Sequence, residues 1–453
     1  MKSILFVIGL LFSYNVSAQS DSCQKEKDNQ LSVGLDFLTH GEIQAGGLPR
    51  RKNDEVLVED KSSFLLGRTR LIVDYERKGL SAHVVIQNKA VWGTKNNLSL
   101  NLYEGWVKMA ANCGLFAQVG RIALAYDDER IIGPNDFAMA ALSHDVLRVG
   151  YEGYGHKAHA ILGYNQNGSN VYANTYYVDG TQNYKLMQTL WYHYDVPNLP
   201  LGASLLFMNV GMQAGVYNDV DGKKVINENN PPRTEYQQML GCYLKYAPKY
   251  LTLEGSYYRQ FGQYVNDQMQ SGKIKAWMAS AKATVKPTDK YGFEVGYDYL
   301  SGDEYVPVIY GGTTGLPLHS VEGGFCPLYG SRTKFYGIMD YFYESAYING
   351  FTPGLQNVTV GGFFKPISKL TCQAYYHYLA TATALHGLDR TLGHAIDLQA
   401  KYEFTKDISL VASYTQMIGT ETMNRLKQGN CDKNAQWGWF SLYVSPTLFT
   451  TKW

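Results

Sequence analysis

An all-β, transmembrane antiparallel β-barrel of eighteen strands is the fold the sequence predicts, on three observations. From about residue 60 onward charged and apolar residues alternate with period two, as Arg68, Arg70 and Asp74 do against Leu71, Val73 and Tyr75. Short turns alternate with long Gly/Asn/Asp-rich connections. Tyrosine and glycine are abundant, 37 and 45 of 453 residues, and tyrosine suits strands and membrane interfaces, where its ring is apolar and its hydroxyl wet. A barrel wall needs segments of ~9–11 residues, apolar toward lipid and polar toward a wet interior. A soluble sandwich would alternate too, but it would have to fit this chain around dry cores.

The first element is a leader. Lys2, an apolar run from Ile4 to Phe12 and the small-residue site Val16-Ser17-Ala18 read as a signal peptide over residues 1–18. Ser20-Asp21-Ser22 before Cys23 lacks the small-residue box of a lipoprotein. No later stretch approaches the ~20 apolar residues of a transmembrane helix, and a mean hydropathy of −0.26 excludes a helical membrane protein. Residues 19–453 are expected to form one barrel domain without a separate plug. Losing Lys2 with the leader brings the 41 basic residues into balance with the 40 acidic ones, so no nucleic-acid partner is implied.

The strands follow at 31–46, 63–76, 80–92, 98–110, 115–124, 146–153, 157–166, 185–195 and 201–213. Nine more run over 234–246, 250–262, 274–286, 290–300, 354–365, 369–380, 393–404, 407–419 and 435–446. Tight turns such as Arg77-Lys78-Gly79, Ala247-Pro248-Lys249 and Thr405-Lys406-Asp407 fall on every second connection, the periplasmic side of an outer-membrane barrel. Lys334 to Tyr343 also looks like a strand. Counting it would give nineteen and leave the C-terminus outside, so it is assigned to an external loop, 301–353, folding toward the pore. Pro446 is expected to end the last strand, and the terminal Trp453 resembles a barrel-assembly signal in part.

The segment after the fifth strand runs Gly120-Arg121-Ile122, then Tyr126-Asp127-Asp128-Glu129-Arg130, then Gly133-Pro134-Asn135-Asp136-Phe137. It resembles the alginate-export family of outer-membrane barrels, with Ile122 where that family has Gln and Phe137 where it has Trp. Lys334-Phe335-Tyr336-Gly337 and Gly354-Leu355-Gln356-Asn357 are similar to a second block of the family. The resemblance spans about residues 60 to 446. It implies a monomeric eighteen-stranded barrel in the outer membrane of a Gram-negative bacterium, whose namesake passes an anionic polysaccharide through a basic constriction.

Candidate constriction and selectivity residues are Arg68, Arg70, Arg121, Asp127, Asp128, Glu129, Arg130, Asp136 and Arg148. Rings of charge select ions because a narrow low-dielectric pore concentrates the field. The plain alternative for 121–136 is a solvated external loop with ion pairs worth little. Further lumen-facing residues by alternation include His83, Glu104, Lys108, Lys157, His159, Glu254, Lys282, Asp298 and Asp397. Their mixed signs read either as wall-stiffening ion pairs or as a transverse field that orients solutes. Matching compartments makes Cys23–Cys113 and Cys326–Cys431 candidate disulfides. Ser143-His144-Asp145 gathers three triad residue types, but neighbours on an extended chain point to opposite faces and cannot form a relay. No enzyme activity, metal or cofactor is implied.

The sequence thus predicts a passive outer-membrane channel for small polar or anionic solutes, saccharides among them. Its partners are membrane lipid and, during biogenesis, the barrel-assembly machinery. A dedicated polysaccharide exporter and a loop-plugged structural or surface-binding barrel are the alternatives.

Overall fold

The computed structural model describes residues 29–46, 61–94, 99–166, 184–215, 217–220, 223–265, 269–303, 321–339, 341–342, 353–385, 387–427 and 434–453. Residues 1–18, expected to be a signal peptide, and Cys23 and Cys431 lie outside them. Strands β1 (Gln30–Ala45), β2 (Lys61–Arg77), β3 (Leu80–Val91), β4 (Ser99–Ala110) and β5 (Leu115–Ile122) open the wall. It continues with β6 (His144–Gly153), β7 (His156–Tyr164), β8 (Leu186–Asp195) and β9 (Leu201–Ala214). A small hairpin, β10 (Tyr217–Val220) and β11 (Lys223–Ile226), stands apart from it. The wall resumes with β12 (Arg233–Tyr246), β13 (Leu251–Val265), β14 (Ser271–Thr288) and β15 (Tyr291–Leu300). After the short β16 (Val321–Glu322) come β17 (Leu355–Ile367), β18 (Leu370–Ala380), β19 (Thr391–Thr405) and β20 (Ile408–Gly419). A helix, Glu421–Lys427, precedes β21 (Ala435–Val444) and β22 (Thr447–Lys452).

Neighbouring wall strands pair antiparallel, and β1 closes the ring against β21 and β22. These two count as one wall strand, giving a closed barrel of eighteen. Pro446 does not end the last strand, as the sequence had suggested. Proline offers no N–H, so the ladder skips there with a register shift near Val33 and Gly34, yet Leu35 N–H still donates to the Pro446 carbonyl at 3.0 Å.

Alternation sorts the side chains. Leu190, Leu205, Leu240 and Phe293 point outward and are each more than half exposed, whereas inward Met208, Met239, Tyr258 and Met278 are at most 1% exposed. Apolar surface left outward on so many strands belongs in lipid rather than water. Gly241 faces inward, and a Cβ there would run into the Tyr258 ring, so glycine is what leaves room for it.

Two loops enter the barrel. The β5–β6 loop buries Leu124, Ile131 and Ile132. The described part of the β15–β17 loop buries Phe325, Tyr336 and Phe342 in the same apolar cluster. Lys334 to Met339 form no strand and sit in this loop, with a single 3-10 turn at Arg332–Lys334.

Candidate functional site

The loops join inside the lumen as a short parallel ladder. Ile132 bridges Tyr329; Gly133 N–H donates to the Tyr329 carbonyl at 2.9 Å and Tyr329 N–H to the Ile131 carbonyl at 3.0 Å. Ser331 N–H donates to the Glu129 carbonyl at 2.9 Å, the Ser331 hydroxyl to the Glu129 carboxylate at 2.9 Å, and Lys334 pairs with that carboxylate at 3.4 Å. A loop entering a pore leaves backbone groups to be satisfied, and these contacts supply partners for several of them.

Side chains of the wall hold the first loop from several sides. On β2, Arg68 and Arg70 point inward and share two carboxylates, Asp36 of β1 at 3.3 and 3.4 Å and Asp136 of the loop at 3.4 and 2.7 Å. Arg68 also donates to the Asp136 carbonyl at 2.8 Å, and Arg70 to Gln87 at 2.8 Å while lying 4.0 Å above the Tyr103 ring. Phe137 packs edge-on against His40 and Trp439, each centroid 5.3 Å away. Toward β15, Arg130 is buried and pairs with Asp298 at 3.0 Å and Asp128 at 3.2 Å, donates to Tyr336 Oη at 2.8 Å and lies 4.0 Å from the Phe335 ring. Burial alone would lower its pKa; Asp298, Tyr336 and Asp128 outweigh that and hold the guanidinium well above its usual value. Asp127 accepts a bond from Trp191 of β8 at 3.1 Å, and burial pushes its carboxyl up despite that bond.

Arg148 and Lys108 have a different setting. Both flank the Phe116 ring, with Lys108 Nζ 4.2 Å and Arg148 Cζ 5.6 Å from its centroid. Arg148 donates to Gln118 and, at 3.4 Å, to Tyr126 Oη, and its Nε has no partner. Among the described residues neither cation forms an ion pair. Tyr126 joins this pair to a lumenal recess of about 410 Å³ lined by Asp127, Lys157, Trp191, His193, Asp195 and Lys245.

Arg121 departs from the expected placement. On β5 the inward residues are Phe116, Gln118 and Ile122, so Arg121 shares the outward face with Leu115 and Val119. There it grips Asp145 in a bidentate pair at 2.8 and 2.7 Å. The alternation that places Arg121 outside also separates His144, buried inside against Tyr184, from Asp145. Asp36, Tyr103, Gln87 and Phe137 were missed as site residues. The alternation of Asp36, His40 and Glu42 along β1 was the signal for the first of them. Cys113 is exposed, and each candidate disulfide has one member outside the described residues.

An apolar outer wall, an ion-paired interior and two inward loops define a membrane-spanning barrel with a constricted lumen. The chain superposes on Pseudomonas aeruginosa OccK11 (OpdR) with a TM-score of 0.58 at 12% identity, covering 93% of this chain and 97% of that one. Acinetobacter baumannii OccAB1 gives 0.57 at 12%, over 92% and 97%. Pseudomonas aeruginosa OccK2 (OpdF), solved in complex with glucuronate, gives 0.57 at 10%, over 92% and 98%. These likenesses establish the fold, a closed antiparallel barrel of eighteen wall strands. No family model and no curated protein matches the sequence, and nothing here supports the alginate-export family specifically.

Proposed function

We propose that the chain is an outer-membrane porin of a Gram-negative bacterium, through which small polar or anionic solutes diffuse. The observation that carries this reading is the unpaired cation pair Lys108 and Arg148, set in the lumen beside a solute-sized recess. Such charges lower the desolvation cost of an anion, while Glu152 and Asp195 nearby keep it from binding too tightly to leave. Arg68 and Arg70 are instead neutralised by Asp36 and Asp136, which suits a latch for the loop. A carboxylated sugar is small enough for the recess, and Lys108 and Arg148 beside it would receive the carboxylate, in line with the glucuronate bound by one fold neighbour. The same reading takes the protein as a monomer, contacted by membrane lipid and folded by the barrel-assembly machinery.

The test is single-channel current in a planar bilayer, with the reversal potential under a salt gradient. Wild-type protein is expected to prefer anions, and Lys108→Glu with Arg148→Glu to reverse the sign of the potential. Anion preference unchanged in that variant would overturn the assignment. The interlocked loops support a second reading, a plugged barrel, and silence from folded protein would establish it. The balanced charge does not favour a polyanion exporter.

A further inference from the structure

The outer wall carries charge where lipid should lie. On β13 and β14, Arg259, Lys273 and Lys275 sit on the outward, exposed face. Their neighbours on that face are Tyr257, Phe261 and Trp277, all exposed. Among the described residues none of the three cations has an acidic partner. Their level in the membrane follows from the register. Tyr257 lies opposite Ala279, and Ala279 opposite Tyr299; Arg259 lies opposite Trp277, Phe261 opposite Lys275 and Gln263 opposite Lys273. Each pair is one step closer to the external end, given that the short turns are periplasmic.

Tyr257, Trp277 and Tyr299 form an aromatic row, centroids 6.1 and 4.7 Å apart, of the kind that marks a membrane interface. Below it the outward residues of β12 and β13 include the apolar Leu244 and Leu253, while Leu240 lies opposite Arg259 itself. The cations therefore stand at and just above the external boundary of the apolar belt. At the level of Lys275, the adjoining strands carry an outward amide chain. Asn209 donates to Gln188 at 2.6 Å, and Gln238 donates to Asn209 at 2.8 Å. Residues diagonal across a strand pair lie ~7–8 Å apart, so Arg259 and Lys275 can reach one phosphate between them.

We infer that this patch binds the phosphorylated headgroup of lipopolysaccharide in the external leaflet. Three uncompensated cations over an aromatic row are complementary to a lipid A phosphate whose acyl chains lie along the belt beneath. The inference takes only the membrane and its orientation from the porin reading, not the transport.

Purified, refolded protein is incubated with diphosphoryl lipid A, or with lipid A stripped of its phosphates, and retained lipid is read by native mass spectrometry. Removing Arg259, Lys273 and Lys275 together as glutamines is expected to cut retention of the diphosphoryl form about a hundredfold, since each such cation near an anionic surface adds roughly fivefold. Lys286→Gln with Lys290→Gln, near the periplasmic turn, is expected to change nothing. Equal retention by the triple variant, or equal retention of the phosphate-free lipid by wild type, would overturn the inference and leave a purely apolar annular contact. Heat-modifiable gel mobility verifies folding. If the triple variant fails to fold, Lys275→Gln alone is compared, with a loss of about fivefold expected. Single-channel current is expected to be unchanged in either variant, so failure here and failure of the porin reading are distinguishable.

Discussion

Arg68 shows how one residue acquires its role from partners distant in sequence. Its side chain is 1% exposed and touches Asp36 and Asp136, residues from the first strand and from an inward loop. Buried guanidinium groups tolerate their surroundings only with carboxylates beside them. Replacing Asp36 by asparagine leaves two arginines to share Asp136, and a loss of about 3 kcal/mol is expected. Urea unfolding in lipid vesicles measures it, and an unchanged midpoint would show that Asp136 alone suffices. Alternation alone brings Arg68, Arg70 and Arg148 into the lumen; their neutral or unpaired state was not legible, because it depends on where a loop comes to rest. Arg121 sits on the outer wall for the same parity reason, although its proximity to Asp127 and Arg130 in sequence suggested otherwise.

At the scale of elements, the two loops decide how open the lumen is. The grip of the β15–β17 loop includes a pair of acids, Asp303 and Glu322, with Gly323 N–H donating to the first at 2.8 Å and Gly324 N–H to the second at 3.2 Å. Burial, and then the Asp303 charge, push the Glu322 carboxyl up to about 8. An unfolded glutamate ionises near ~4.3. The folded form thus holds a proton that the unfolded form has released. The stability this pair allows is full below ~4.3 and declines as pH rises toward the folded value. Between pH 7 and 9 the loop is expected to loosen and channel current to become noisier, and Glu322→Gln to flatten that dependence. A pH-independent wild-type trace would exclude the pair as a control on the loop. The loop was legible as an inward one through strand parity. The two-residue β16 and the helix Glu421–Lys427 were not, being too short for a periodic signal to rise above noise.

For the whole molecule, period-two patterning gave the number of wall strands because each must present one face to lipid and the other to water. The same logic predicts the effect of a charge on the outside. Val295 is 54% exposed on the outer wall, two outward positions below Tyr299 of the aromatic row, and Val295→Arg is expected to cost about 2–4 kcal/mol. Equilibrium unfolding in bilayers checks this, with Thr189→Ser on the inward face as the comparison. The closing strand was misjudged at Pro446, since an edge ladder can lose one donor and resume. Closure there makes the chain a ring: Asn29 and Trp453 exchange backbone hydrogen bonds at 3.1 and 3.0 Å. Strand β1 therefore has no final partner on that side until β21 and β22 reach it. Until then any partial wall keeps two raw edges, one at β1 and one at its growing end, each able to pair with another chain. The barrel thus stays open at this seam until its two ends meet, and an escort through that interval has to shield those two edges above all.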